Sequence, residues 1–349
     1  MVVNMENEIN NAIYDVAKLI SKDEQQVKQL IEIFKSMVEV QFTNEGLDIS
    51  HTAATVPKID FKEDNGEFKL YVKKVVVILP PLKNTTNIHH YRIDMRHEFF
   101  HAFANLLNNK TIRLNTNFKK MILNVGGKIN ERNLSNPRTD QNDSQASVLF
   151  NEIVTDMSAY CSYYENVKDQ VINGNGIESI KNNYGIGNGY SELFPLGVCI
   201  IKAFTNYDCD YNRLSQNTFE AKYQTDNETV YYNDLLYGIL YDPLRIKDKF
   251  IKYTTEGDWV TLENISKRIL TDFKENGRKV DCYNVQEYLK VLAKYLNNRY
   301  QMENDPVLKK HLEQVIFKFN DNYRYAVGYY YNLQQNMQQN NLQQYGRSF

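Results

Sequence analysis

The chain is predicted to be an α+β protein, with a small sheet in an N-terminal lobe and a mostly helical C-terminal lobe. Three observations carry this. Runs rich in β-branched and aromatic residues, Ile59-Asp60-Phe61, Phe68-Lys69-Leu70-Tyr71-Val72 and Val75-Val76-Val77-Ile78-Leu79, crowd into one short stretch. Residues 88–107 contain neither proline nor glycine and repeat apolar side chains at helical spacing. Beyond residue 152 the apolar spacing stays helical almost throughout.

Taken in order, residues 6–20 and 22–42 read as two amphipathic helices, the second opened by the capping box Ser21-Lys22-Asp23-Glu24. A hairpin follows, because two strand-like runs flank Glu63-Asp64-Asn65-Gly66. The run 75–79 is a buried strand closed by Pro80-Pro81. Ile88, Tyr91, Met95, Phe99 and Phe103 then mark the apolar face of a long helix. Later helices are predicted over 191–204, 230–240, 242–253, 262–273, 285–298 and 306–319. Gly174, Gly176, Gly185, Gly187 and Gly189 mark a connection between the lobes; Gly185-Ile186-Gly187 is a weak phosphate-loop signal, since no strand precedes it. The Gln/Asn-rich segment from Asn332 is expected to be a disordered tail. The division expected is 1–45 for N-terminal helices, 46–172 for a core that holds the sheet and the long helix, 173–331 for a helical lobe and 332–349 for the tail.

Composition narrows the function classes. With 349 residues, 42% hydrophobic and 13% aromatic, the chain can build a sizeable core. A net charge of −2 and the absence of a basic stretch interleaved with aromatics argue against nucleic-acid binding. Residues 1–20 lack the apolar centre of a signal peptide, and no apolar run approaches the ~18 residues needed to span a bilayer, so a cytoplasmic location without membrane contact is expected. Cys161, Cys199, Cys209 and Cys282 show no zinc-finger spacing and are expected to be free thiols.

The most informative residues are His97-Glu98-Phe99-Phe100-His101. On a helix, positions four apart share a face one turn apart, so His97 and His101 can offer two imidazole nitrogens to one ion. A catalytic zinc takes three protein ligands and leaves a position open. Glu152, in Asn151-Glu152-Ile153-Val154-Thr155-Asp156, is the candidate third ligand. Asp156 lies four residues further on the same face, so one carboxylate can bind the metal while the other receives the N–H of a ligating histidine. His89 and His90, about two turns before His97, are expected in solvated or hydrogen-bonded roles, and His51 is uninformative.

His-Glu-x-x-His followed by Asn-Glu-x-x-[Ser/Thr]-Asp resembles the zinc peptidases called gluzincins, of the thermolysin type. The likeness covers the two motif helices, about a fifth of the chain. It implies a zincin-like fold, His97, His101 and Glu152 as ligands of one zinc per chain, Glu98 as general base, and Asp156 as orienter of His97. The interval from His101 to Glu152 is 51 positions, longer than in the thermolysin type, and the polar stretch 126–146 is expected to account for the excess as a surface loop. Gly189-Tyr190-Ser191-Glu192 looks like a segment that follows the glutamate helix in bacterial relatives of this group.

The expected chemistry is hydrolysis of a peptide bond in a peptide or protein substrate. A zinc-activated water attacks the carbonyl, and Glu98, about 100 degrees around the helix from His97, takes its proton. Tyr190 and His311 are weak candidates for the donor that steadies the oxyanion. Two rivals use the same residues: a metal-dependent hydrolase of a non-peptide amide or ester, and a non-catalytic binding protein on a zincin scaffold.

Overall fold

A computed structural model of the protein describes residues 4–21, 23–45, 47, 53–64, 67–83, 86–107, 112–115, 120–126, 128–133, 141–164, 189–204, 243–275 and 279–346. The chain divides into two compact units, Met1–Ser191 with Leu236–Ile246, and Glu192–Leu235 with Lys247–Phe349. Helices and small sheets together make an α+β protein. The N-terminal helices fall in the first unit and share a core with the motif helix.

The first unit starts with α1 (Met5–Ile20), where the Asn4 side chain accepts the backbone N–H groups of Glu6 and Asn7. Helix α2 (Glu24–Met37) is capped by Asp23, which accepts Gln26 N–H at 2.8 Å. The cap is therefore Asp23 and not the predicted Ser21, whose hydroxyl turns to the Gln26 side chain at 2.8 Å. The predicted helix over 22–42 also stops early. Val38–Phe42 forms strand β1, which lies parallel to β3 (Glu67–Leu79) with Val38 opposite Val75. An alternating Val-Glu-Val-Gln-Phe pattern suits a pleated surface, and the partner strand that selects it lies far along the chain.

Strand β2 (Ala54–Asp64) runs antiparallel to β3, giving the order β1-β3-β2. β2 is thus an edge, which is where Pro57 is tolerated. Central β3 buries Val75, Val77 and Leu79 completely. Over this sheet lies α3 (Ile88–Leu107), with the bounds the spacing predicts. Its Tyr91, Met95, Phe99 and Phe103 join one core with α1, α2 and β3. Phe34 of α2 packs on Phe99 and Phe103, with ring centroids 4.8 and 5.0 Å away. Arg92 and Arg96 of α3 are paired with Glu8 and Asp15 of α1, which keeps both cations matched as α3 is enclosed.

A second sheet takes up part of the surface loop expected over 126–146, of which 127 and 134–140 lie outside the described residues. Strands β4 (Ile112–Asn115), β5 (Lys120–Val125), β6 (Lys128–Asn133) and β7 (Gln141–Asp143) pair antiparallel in that order. β5 and β6 are joined through Gly126, whose φ of +58° favours glycine. A Cβ there would also meet the Asn105 side chain at 2.8 Å, so the turn sits directly against α3. Polar Lys128, Asn130 and Arg132 alternate along β6, a strand pattern that composition alone disguises as loop. Helix α4 (Gln145–Tyr163) follows, capped by Ser144, which accepts Ser147 N–H at 3.3 Å.

The second unit holds helices α5 (Phe194–Ala203), α7 (Glu256–Glu275), α8 (Cys282–Met302) and α9 (Pro306–Gly346), with α6 (Pro243–Tyr253) crossing into it at Lys247. Its core stacks Phe250 on Tyr295 at 5.3 Å, with Trp259 edge-on to Phe250 at 5.6 Å. Tyr329 and Tyr330 of α9 donate their hydroxyls to the Glu192 carboxylate and backbone carbonyl at 2.6 and 2.8 Å. α9 continues past Asn332 to Gly346, where the composition predicts a disordered tail. The segment has no proline, and glutamine is a good helix former, so a helix already nucleated upstream propagates. The helix predicted over 230–240 and the glycines at 174–187 lie outside the described residues. Among those residues no helix is long and apolar enough to cross a membrane.

Candidate metal centre

α3 carries the motif on its middle turns, and because it is covered on nearly every face, His97, Glu98 and His101 are all buried. α4 packs beside it and brings in Glu152. The Nε2 atoms of His97 and His101 stand 2.9 Å apart, and each is 3.3 Å from Glu152 Oε2. Metal bonds of ~2.0–2.2 Å at tetrahedral angles would separate ligand atoms by ~3.3 Å, so these three donors fit one small ion. Among the described residues, this is the one His/Cys/Asp/Glu group with such convergence. The metal's identity is left open by the donor set, which suits zinc and its neighbours alike.

Asp156, one turn after Glu152, lies 3.2 Å from His97 Nδ1 through Oδ1. An ionised carboxylate only accepts, so in the neutral imidazole Nδ1 holds the proton and Nε2 keeps its lone pair toward the other donors. Burial disfavours charge on His97, but Asp156 and then Glu152 outweigh it and raise its pKa well above 6.5. Burial lowers that of His101. For Glu152 burial favours the neutral acid; Lys128 and then His101 overcome this and hold the carboxyl well below its usual range. The site thus has an ionised carboxylate and one imidazole biased neutral, while a metal would compete with a proton for His97.

Two residues that sequence reasoning missed complete the surroundings. Thr55, on edge strand β2, places its hydroxyl 2.6 Å from Glu98 Oε2 and 3.0 Å from the Glu98 carbonyl oxygen. Its single proton fixes the carboxylate relative to the sheet. Lys128 of β6 donates to Glu152 Oε1 at 2.6 Å. Neither carried a local signal: one is an ordinary strand threonine, the other sat in a segment read as loop.

The remaining candidates distribute as follows. Tyr190 stacks its ring on His97 with centroids 6.1 Å apart and planes 10° apart. His311 is buried on α9 in the second unit. His89 Nδ1 lies 2.8 Å from the Tyr163 hydroxyl, a hydrogen-bonded role of the kind expected. Cys161, Cys199 and Cys282 are buried and unbridged, and Cys209 and His51 fall outside the described residues. No known protein family, curated protein or solved structure matches this chain.

Proposed function

We propose that this chain is a metal-dependent hydrolase and, within that class, a zinc peptidase of gluzincin type with a zincin-like catalytic core. The observation that carries the reading is the convergence of His97 Nε2, His101 Nε2 and Glu152 Oε2 around one point, with Glu98 on the same helix and held by Thr55. A bound zinc would supply a Lewis acid that polarises a substrate carbonyl and makes water acidic enough to react near neutral pH.

The chain's own residues do the rest. Glu98 accepts the proton that water gives up as it attacks the carbonyl carbon, and passes it to the departing amine nitrogen. Its carboxylate, one residue after His97 on the same helix, is held by the Thr55 hydroxyl at 2.6 Å. Asp156 keeps His97 in the tautomer whose Nε2 can bind a cation. β2, paired on one side only among the described residues, offers backbone N–H and C=O groups to an extended peptide next to the helix that carries Glu98. Tyr190, lying against His97, is the candidate donor to the oxyanion.

The test measures metal by elemental analysis and single-turnover cleavage of a broad peptide library on the same preparations of parent and Glu98→Gln protein. The parent should hold close to one zinc per chain and cleave. The glutamine variant should retain the metal while cleavage falls by about 10²- to 10⁴-fold. Cleavage retained by a zinc-loaded Glu98→Gln protein overturns the mechanism. A zinc-loaded parent that cleaves no peptide overturns the peptidase reading in favour of a non-peptide hydrolase or a binding scaffold.

A further inference from the structure

We propose that Lys128 is a positioning residue which makes Glu152 present one oxygen, Oε2, to the metal, by holding the other, Oε1. The inference rests on the metal-site reading above and adds a residue that the motif resemblance does not contain.

The two carboxylate oxygens of Glu152 have divided duties. Oε2 is 3.3 Å from each imidazole Nε2, whereas Oε1 receives the Lys128 ammonium at 2.6 Å. A carboxylate free to turn can offer both oxygens to a cation; one whose second oxygen is held by an ammonium offers one. Single-oxygen ligation by Glu152 leaves room in a tetrahedral site for the water that hydrolysis requires.

Lys128 is built into this place by the backbone on both sides of it. The Gly126 carbonyl accepts from the Asn151 side chain at 3.5 Å, one residue before Glu152. On the other side, Ile129 N–H donates to Ser147 Oγ at 3.0 Å, and Ser144 N–H donates to the Ile129 carbonyl at 2.8 Å. The β5–β6 turn is thus fastened to α4 before and after Lys128, and Gly126 also presses on Asn105, which donates to the His101 carbonyl at 2.8 Å. The same hairpin therefore touches both helices that supply ligands.

The alternative is that Lys128 only neutralises a buried carboxylate, and coordination geometry separates the two. Cobalt(II) is loaded into parent, Lys128→Met and Lys128→Arg proteins and the visible d–d spectra are compared at one cobalt per chain. The methionine variant keeps the length of the stem without the donor; its Glu152 should become free to bind through both oxygens, and molar absorptivity should fall by about two-fold or more as the four-coordinate pattern gives way to five. Lys128→Arg, which still donates to Oε1, should return the parental spectrum. Lys128→Gln stands in if the methionine variant does not fold. Cobalt bound with the parental spectrum in the variant lacking the ammonium overturns the role of Lys128 and leaves the metal site intact. Failure of the parent to take up cobalt or zinc overturns the metal-site reading and this inference together.

Discussion

Helices α3 and α4 of the first unit and helix α7 of the second bury their side chains in different ways. α7 is an ordinary amphipathic helix: Trp259, Leu262, Ile265, Ile269, Leu270 and Phe273 form a buried stripe, and its charged residues lie away from it. α3 and α4 are buried nearly all round, yet within that enclosure they carry Arg96, His97, Glu98, His101 and Asp156. Charge without water is stable only where each group has a partner. Every one of these has one: Asp15 for Arg96, Asp156 for His97, Thr55 for Glu98, and Glu152 for His101. Ionisable residues kept inside this helix pair, where α7 puts its charged residues outside, gather at and around the candidate metal centre.

The comparison breaks most sharply at the ligands. Replacing His97, His101 or Glu152 by Ala should remove most of the bound metal, since two protein donors remain, and elemental analysis of each purified variant reads this directly. If Glu152→Ala keeps its full metal content while another carboxylate variant loses it, the third ligand has been misassigned. A contrasting change belongs in the apolar stripe. Leu262→Ala should destabilise the protein by about 2–5 kcal/mol, as cavity formation in a core does, while leaving the metal content of the folded fraction unchanged. Denaturant unfolding beside elemental analysis tests whether the two regions are separable.

A smaller effect sharpens the account of the paired charges. Asp156→Asn should weaken metal affinity about 10- to 100-fold in a chelator competition without abolishing folding, because an amide orients the imidazole less firmly than a carboxylate does. Unchanged affinity would return Asp156 to the class of structural charges. The smallest effect is expected at the far end of α9. Removing residues 337–349 should leave the thermal midpoint and metal content nearly unchanged and lower the helical circular-dichroism signal only slightly, as a terminal helix that loses its end keeps its upstream packing. A fall of several degrees would show that this end docks on the body.

Legibility in the sequence followed the range of the contacts. α3 was readable to its ends because 20 residues without proline or glycine repeat a single apolar face. The pairs His97–His101 and Glu152–Asp156 were readable because four-residue spacing on a helix is local geometry. Where a distant partner decides, local reading failed. Val38–Phe42 follows directly on a helical run, and its short alternation is decided only by pairing with β3, while β6 looks like loop until β5 and β7 flank it. The Gln/Asn composition past Asn332 hid a helix that only upstream nucleation sustains.

By itself, then, the sequence determined that two imidazoles and a following glutamate stand on single faces of two helices, since that needs nothing beyond 3.6 residues per turn. The tertiary structure decided how those faces meet and which atoms do what. Glu152 divides its oxygens between the histidines and Lys128, a residue 24 positions away, and Glu98 is held by Thr55, 43 positions away. The first contact depends on the Gly126 turn and the second on the register of β2 against β3, which the chain acquires only when its sheets and helices pack together, and no local pattern encodes them.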